Sequence, residues 1–131
     1  MARTNIADAT DLTIADVLHK RFDTLPAEAT VAEVRKWFAA SSHRRMAFLA
    51  DQGRYSGSLT RADLEGDLDP QAPAGEVAHN GPTVAPDDSA CTGYELATRT
   101  EALRVPAVDA AGNLLGVVAV TDDRAGFCGT S

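Results

Sequence analysis

The chain is short of several features that define whole classes of protein. Its 131 residues contain two cysteines, Cys91 and Cys128, too few for a disulfide framework or a paired metal motif. The longest apolar stretch, residues 114–120, falls far short of the roughly 18 residues that span a membrane. Residues 1–8 contain no apolar signal core. These absences predict a cytoplasmic protein with reduced thiols and no membrane partner.

Positive charge is also scarce. Twelve Lys and Arg stand against nineteen Asp and Glu, which gives a formal net charge of −7. General nucleic-acid binders and proteins that adsorb to anionic lipid need a positive field, so the composition argues against both classes. A small anionic ligand held by a few local arginines remains compatible with this charge. Hydrophobic residues make up 44% of the chain, an ordinary content for a soluble globular protein.

Motifs for catalysis are missing as well. His19, His43 and His79 are scattered through the chain and lack the spacing of metal ligands. The adjacency of Ser42 and His43 does not bring a nucleophile and a base together in space. No Gly-x-Gly-x-x-Gly motif and no phosphate-loop lysine is present. We therefore expect neither enzymatic activity nor a bound metal ion.

An internal repeat is the most informative feature of the sequence. Shifted by 59 positions, the chain aligns with itself without a gap over about forty residues. The identical pairs are Thr24 and Thr83, Arg45 and Arg104, Gly53 and Gly112, Gly57 and Gly116, and Asp63 and Asp122. Apolar positions coincide too, such as Leu49 and Val108. The alternative is a chance similarity between two ordinary strand-and-helix stretches.

Each copy of the repeat predicts the same elements, in the order strand, helix, strand, strand, helix. In the first copy, Thr30 and Glu33 have the spacing of a capping box at the start of the first helix. Gly53 lies in the turn between two short apolar runs, which indicates a strand hairpin. The second helix is predicted to begin near Thr60 in one copy and near Thr121 in the other.

The pattern also predicts how the chain is divided. It indicates a flexible N-terminal tail (1–12), a first repeat (13–68) that begins with a short helix, a linker (69–75), a second repeat (76–127) and a C-terminal tail (128–131). Neither repeat is expected to bury its apolar faces alone, so the two should pack together.

The two hairpins carry motifs that resemble a known family. The first copy has the segment GSLTRAD at residues 57–63, and the second has RVPAVD at residues 104–109 followed by GVV at residues 116–118. Doubled at one period, this order resembles a tandem pair of cystathionine β-synthase (CBS) domains, also called a Bateman module. The resemblance covers about residues 14–127. It implies an α/β fold of two pseudo-twofold-related CBS repeats packed together.

The resemblance also implies a ligand. Paired CBS domains commonly bind adenosine-containing molecules in clefts between the two halves, with an Asp on the ribose and a Thr or Ser hydroxyl near the phosphate. Carried over to this chain, the first site has Asp63 for ribose and Thr60 for phosphate. The remaining assignments are Thr24, Leu25, Met46 and Ala47 around the base of the first site, and Asp122 for ribose with Val84, Val105 and Pro106 around the base of the second.

Two arginines are further candidates for the first site. Arg61 lies in the same turn as Thr60, and Arg45 precedes the first hairpin, so either could contact a phosphate. The alternative for Arg45 is a solvated surface arginine. The spacing of Thr60 and Asp63 is also close to that of a plain helix cap, which is the structural alternative to ribose recognition.

The second copy departs from the family pattern. Ala119 stands where the first copy has Thr60, so the second site lacks the phosphate-facing hydroxyl. The resemblance implies a non-enzymatic regulatory module for AMP, ADP, ATP or S-adenosylmethionine. Its partners would be an unidentified effector protein and a second copy of the chain in a homodimer. The alternative is a ligand-free structural scaffold, in which Ala119 and Tyr55 mark a lost site.

Overall fold

The computed structural model describes residues 3–20, 22–42 and 44–128, with the backbone alone for Arg3. These residues form a mixed α/β fold, as the sequence predicts. The strands are β1 (Arg3–Asn5), β2 (Thr24–Leu25), β3 (Met46–Asp51), β4 (Arg54–Thr60), β5 (Arg104–Val108), β6 (Leu114–Ala119) and β7 (Gly126–Cys128). The α-helices are α1 (Ile14–Val17), α2 (Val31–Ala39), α3 (Ala74–Val77) and α4 (Ala90–Thr98).

The chain divides into two compact units. The central unit comprises Asp23–Gly81, and the terminal unit comprises the described residues of Met1–Phe22 and Pro82–Ser131. Each unit contains its own apolar core. His43 and most of the predicted C-terminal tail, residues 129–131, lie outside the described residues.

In the central unit, a three-stranded sheet has the order β2-β3-β4, with β2 parallel and β4 antiparallel to β3. Gln52 and Gly53 turn the hairpin with φ angles of 54° and 84°, as a two-residue type I′ turn requires. The predicted capping box is confirmed, because the Thr30 hydroxyl accepts a hydrogen bond from the Glu33 amide at 3.1 Å. The buried core consists of Ala29, Val31, Val34, Phe38, Ala47, Leu49, Leu59, Leu64 and Ala74.

In the terminal unit, β5 and β6 form an antiparallel hairpin, and Val84 adds a parallel bridge to Ala107. Helix α4 begins after Ser89, whose side chain caps the first turn, and packs against this hairpin. Gly93 within α4 marks a close approach, since a Cβ atom there would collide with the side chain of Ile14 on α1. The largest fully buried residues of this unit are Ile14, Val17, Val84, Val105, Val118, Val120 and Phe127.

The two compact units divide the chain differently from the sequence repeats. The segment after α1 lies in the terminal unit, where His19 and Val117 exchange two backbone hydrogen bonds of 2.9 and 3.0 Å. The segment after α3 lies in the central unit, where His79 and Ser58 exchange two of 2.9 and 3.0 Å. Each of these short segments therefore pairs with the hairpin of the other sequence repeat.

Two glycines at equivalent repeat positions allow these pairings. A Cβ atom at Gly57 would lie 3.1 Å from the Cβ of Ala78, and one at Gly116 would lie 3.1 Å from the carbonyl oxygen of His19. Gly57 also has a φ of 137°, which other residues rarely adopt. In both hairpins, glycine at this position leaves room for a second backbone segment to pack closely against the strand.

Residues 3–12 are folded, although the sequence predicts a flexible tail over residues 1–12. Strand β1 pairs antiparallel with β7, with Thr4 opposite Phe127. Ile6, Ala9 and Leu12 pack against the core of the terminal unit, and Ala9 is completely buried. The prediction of a flexible tail is therefore wrong for residues 3–12. It failed because β1 pairs with a strand at the other end of the chain, and a local sequence pattern cannot indicate such a distant partner.

The predicted second helix of each copy is replaced by a turn in the described part of the chain. After β4 the backbone makes a single 3₁₀ turn at Ala62–Leu64. After β6 it turns through residues 121–125 and enters β7. There the Thr121 hydroxyl donates to Asp123 Oδ1 at 2.6 Å, and Arg124 has a φ of 58°. Local side-chain bonds of this kind compete with helix formation.

Gly126 is required by the pairing of β7 with β1. A Cβ atom at this position would collide with the carbonyl oxygen of Thr4, a backbone atom that cannot rotate away. We expect Gly126→Ala to lower the free energy of unfolding by about 1–3 kcal/mol, measured by urea denaturation. Gly81→Ala is the matched control, because its Cβ would meet no atom within 4 Å. Equal stability of the two variants would contradict the β1–β7 pairing.

Candidate ligand site around Asp63

Thr60 and Asp63 are brought together where β4 ends. The backbone amide of Thr60 donates to Asp63 Oδ2 at 2.7 Å, and the Thr60 hydroxyl donates to the same oxygen at 3.1 Å. Asp63 stands in the 3₁₀ turn that follows the strand. This geometry satisfies the backbone of the turn as a cap does, and it fixes the carboxylate in one orientation.

The second carboxylate oxygen of Asp63 contacts a histidine that the sequence did not indicate as a site residue. The Nε2 atom of His79 lies 2.9 Å from Asp63 Oδ1. The histidine side chain is 67% exposed, whereas that of Asp63 is 21% exposed. His79 reaches this place because its backbone is bridged to Ser58, two residues before the end of β4. The repeat offered no signal for this residue, because the shift of 59 positions places Lys20 opposite His79.

The surroundings of Asp63 favour its ionised form. Partial burial of the carboxyl group raises its pKa, but hydrogen bonds from the Thr60 amide, from His79 and from the Thr60 hydroxyl outweigh burial, so the pKa lies below its ordinary value. The group is therefore a carboxylate at neutral pH. An ionised carboxylate accepts hydrogen bonds and donates none, which suits it to bind hydroxyl groups.

The hydroxyl of Thr60, to which the family resemblance assigns a phosphate contact, already takes part in a hydrogen bond within the protein. A hydroxyl has one proton, and that of Thr60 is donated to Asp63. In this conformation Thr60 has no second proton to donate to a phosphate oxygen. A contact with phosphate would require the Thr60 hydroxyl to rotate away from Asp63.

The arginines near this site hold main-chain carbonyl groups. Arg61 donates from Nε to the carbonyl of Arg44 at 3.1 Å and from one terminal nitrogen to those of Phe38 and Ser41 at 2.8 Å each. The guanidinium of Arg61 thereby caps carbonyl groups at and just after the C-terminal end of α2. In the terminal unit, Arg104 donates to the carbonyl groups of Ala102, Leu103 and Val120. Arg45, the equivalent residue of the first repeat, is half-buried.

The residues assigned to the first base pocket lie at different depths. Met46 is half-buried and pairs with Thr60 across the hairpin, so it lies beside the candidate site. Ala47 is fully buried within the core of the central unit. Exposed Thr24 and half-buried Leu25 pair with Phe48 and Leu49, further along β3. Tyr55 lies near the opposite end of β4 from Thr60.

The residues assigned to the second site are arranged differently. Val84 and Val105 belong to the buried core of the terminal unit, and Pro106 is also buried. Asp122 is exposed in the turn that leads to β7. Ala119, at the position of Thr60, is 2% exposed. Ala119 therefore has no hydroxyl that could bond to Asp122 in the way that Thr60 bonds to Asp63.

Neither a membrane-spanning helix nor a cluster of metal ligands is found among the described residues. No helix among them is both long and apolar enough to cross a membrane. Within residues 3–20, 22–42 and 44–128, no group of three or more His, Cys, Asp or Glu side chains is placed to hold a metal ion.

No protein-family model matches the chain, and no curated protein sequence does. Solved structures do match. The CBS pair domain of a proposed Mg²⁺ transporter from Shewanella oneidensis MR-1 is 21% identical, with a TM-score of 0.72 over 82% of this chain and 64% of that chain. The CBS-pair protein CBSX2 from Arabidopsis thaliana is 16% identical, with a TM-score of 0.69 over 82% and 87%.

Two of the similar structures contain a nucleotide. The cytosolic domain of the Mg²⁺ channel MgtE, in complex with ATP, has a TM-score of 0.66 and 23% identity over 82% of this chain and 45% of that chain. CBSX2 in complex with AMP has a TM-score of 0.69 and 16% identity over 86% and 92%. This chain spans less than two thirds of the Shewanella and MgtE chains. At these identities the similarity establishes a shared fold.

Proposed function

We propose that this chain, which has the fold of a tandem CBS domain pair, is a regulatory module that binds an adenosine-containing nucleotide through Asp63. The observation that carries the proposal is the orientation of the Asp63 carboxylate, which Thr60 fixes at the end of β4. The nucleotide class is supported by two structures of the same fold, one in complex with ATP and one with AMP.

The proposed contact joins the carboxylate of Asp63 to the ribose. A ribose diol supplies two O–H donors, and hydrogen bonds to an ionised acceptor are stronger than those between neutral groups. The lowered pKa of Asp63 keeps it ionised at neutral pH. Met46, next to Thr60 across the hairpin, offers apolar surface to the base at the same end of the strands.

Two donors near Asp63 that could meet the phosphate end of the ligand are already engaged within the protein. The Thr60 hydroxyl is bonded to Asp63, and Arg61 is bonded to the carbonyl groups at the end of α2. Each further phosphate also adds repulsion from a chain of net charge −7. We therefore propose that AMP binds more tightly than ADP, and ADP more tightly than ATP.

Regulation would arise from a difference in affinity between two states of the protein. A ligand shifts an equilibrium only by as much as its affinities for the two states differ. We propose that nucleotide binding changes a contact with an effector protein, and that the chain acts as a homodimer. The role assigned to the chain is binding, and no catalytic step is proposed.

A ligand-free scaffold is the second candidate. Two observations favour it: Ala119 replaces the threonine of the first repeat, and the internal contacts of Asp63 account for its position without any ligand. On this hypothesis Asp63 is a cap of the turn after β4.

Thermal unfolding in the presence of AMP, ADP, ATP and S-adenosylmethionine, each added separately, distinguishes the two candidates. A ligand at a hundredfold its dissociation constant stabilises a protein by about 2.7 kcal/mol, which raises the unfolding temperature by several degrees. The proposal expects such a rise with at least one of the four compounds, and the largest with AMP. No rise with any of them would favour the scaffold.

A further inference from the structure

We propose that His79 competes with the ligand for the carboxylate of Asp63, so that nucleotide affinity depends on the protonation of this histidine. This inference rests on the proposed function, because it concerns the same carboxylate. It assigns to His79 the role of a residue that regulates access to the site.

The carboxylate of Asp63 has too few free acceptor positions to bind His79 and both ribose hydroxyls at once. A carboxylate has about four lone-pair positions, two on each oxygen. Asp63 Oδ2 already accepts the amide and the hydroxyl of Thr60, and Oδ1 accepts one bond from His79. One position remains, whereas the two hydroxyls of a ribose need two. A ribose can therefore bind through both hydroxyls only if the His79 ring leaves Oδ1.

The way His79 is held allows its ring to leave. Its backbone amide and carbonyl are bonded to Ser58, and Gly57 lets this segment lie directly against β4. The side chain itself is 67% exposed, so it can rotate into solvent while the backbone stays in place. The imidazole is thus a movable group on a fixed support.

Protonation determines how strongly the ring competes. A histidinium donates from both nitrogens and carries a positive charge toward the carboxylate, whereas a neutral ring donates from Nε2 in only one of its two tautomers. Histidine is the side chain whose ordinary charge change falls between about pH 5 and 8. The pKa of Asp63 is lowered, so the carboxylate stays ionised throughout this range.

The described elements next to His79 in the central unit carry the following charged groups. The 3₁₀ turn presents Asp63, whose Oδ1 atom lies 2.9 Å from His79 Nε2. On β4, the neighbouring residues Ser58 and Thr60 carry no charge, and Arg61 just beyond the strand is bonded to the end of α2. On its own segment, exposed Glu76 lies three residues before His79. Asp63 is therefore the group through which protonation of His79 would act on a ligand.

The test is calorimetric titration of AMP into the full chain and into His79→Ala, at about pH 6 and about pH 8. The AMP phosphate titrates in the same range, so the ratio of affinities in His79→Ala gives the contribution of the ligand itself. We expect the wild-type ratio to exceed that reference by about threefold or more, with tighter binding at the higher pH. At the lower pH, His79→Ala should bind AMP more tightly than the wild type.

His19→Ala is the matched control, since His19 is bridged to β6 as His79 is bridged to β4. It should keep the wild-type dependence on pH. Weaker binding by His79→Ala at both pH values would overturn the inference, because His79 would then contact the ligand directly. If the ratio of AMP affinities at the two pH values were the same in His79→Ala as in the wild type, the inference would be overturned, but the proposal of nucleotide binding would not. Absence of AMP binding by both proteins at both pH values would overturn the proposed function together with this inference.

NMR provides an independent readout of the competition. At saturating AMP, the imidazole signals of His79 should move toward those of the ligand-free Asp63→Asn variant, in which the ion pair is absent. Signals that stay at their ligand-free positions while AMP binds would show that the ring does not leave Asp63, and would overturn the inference alone.

Discussion

Replacing Asp63 with asparagine is expected to weaken AMP binding by about 10- to 100-fold, measured by calorimetry at about pH 8. The substitution keeps the shape of the side chain, and the amide oxygen can still accept the Thr60 amide as Oδ2 does now. It removes the negative charge and converts one acceptor into an N–H donor, which would face the O–H donors of the ribose. Hydrogen bonds to charged groups contribute about 1.5–3 kcal/mol each, which sets the range.

Asp122→Asn is the matched control for this substitution. Asp122 occupies the equivalent repeat position, but it lies exposed in a turn, and Ala119 stands at the position of Thr60. We expect its affinity for AMP to stay within about twofold of the wild type. Loss of binding in Asp122→Asn with retention in Asp63→Asn would move the site to the terminal unit and contradict the assignment of Asp63.

Phe127→Ala is expected to lower the free energy of unfolding by about 3–5 kcal/mol, measured by urea denaturation followed by circular dichroism. The ring is fully buried in the core of the terminal unit. It packs edge-on against Tyr94, with the ring centres 6.1 Å apart. It also stands opposite Thr4 in the β1–β7 pair, so its removal loosens the attachment of the N-terminal strand.

Leu115→Ala provides the comparison for a large apolar residue that is not buried. Leu115 is 36% exposed on β6, and its truncation is expected to change the stability by about 0.5 kcal/mol or less. If Phe127→Ala were as mild as Leu115→Ala, residues 126–128 would not form part of the core.

Elements defined by local chemistry could be predicted from the sequence. The helix cap at Thr30 depends on Glu33 three residues later, and the hairpin turn depends on a glycine at positive φ, so both are visible in a short window. The α/β class follows from the same local patterns. The repeat predicted a hairpin in each copy, and β3–β4 and β5–β6 are both antiparallel pairs.

Features that depend on distant partners could not be predicted. Strand β1 is stabilised by β7, and neither shows a strong alternating pattern over its three residues. The segment of His79 pairs with β4 across the linker, which places the histidine on Asp63. The sequence indicates the composition of such segments but not which hairpin they join, because that choice depends on the packing of complete units.

The arginines illustrate the same limit. An arginine next to a candidate phosphate site is compatible with two roles, and the sequence leaves both open. Arg61 bonds to three carbonyl groups, one in the last turn of α2 and two in the segment after it. Arg104 bonds to three others, two just before β5 and one just after β6. Helix ends leave carbonyl groups without partners inside the helix, so a nearby guanidinium is drawn to them before any ligand arrives.

A crystal structure of the full chain grown with AMP would locate the ligand. Our proposal expects electron density for a ribose within hydrogen-bond distance of Asp63 Oδ1, with the His79 ring turned away from that oxygen. Density for the nucleotide elsewhere on the chain, with the 2.9 Å contact between His79 and Asp63 intact, would contradict it.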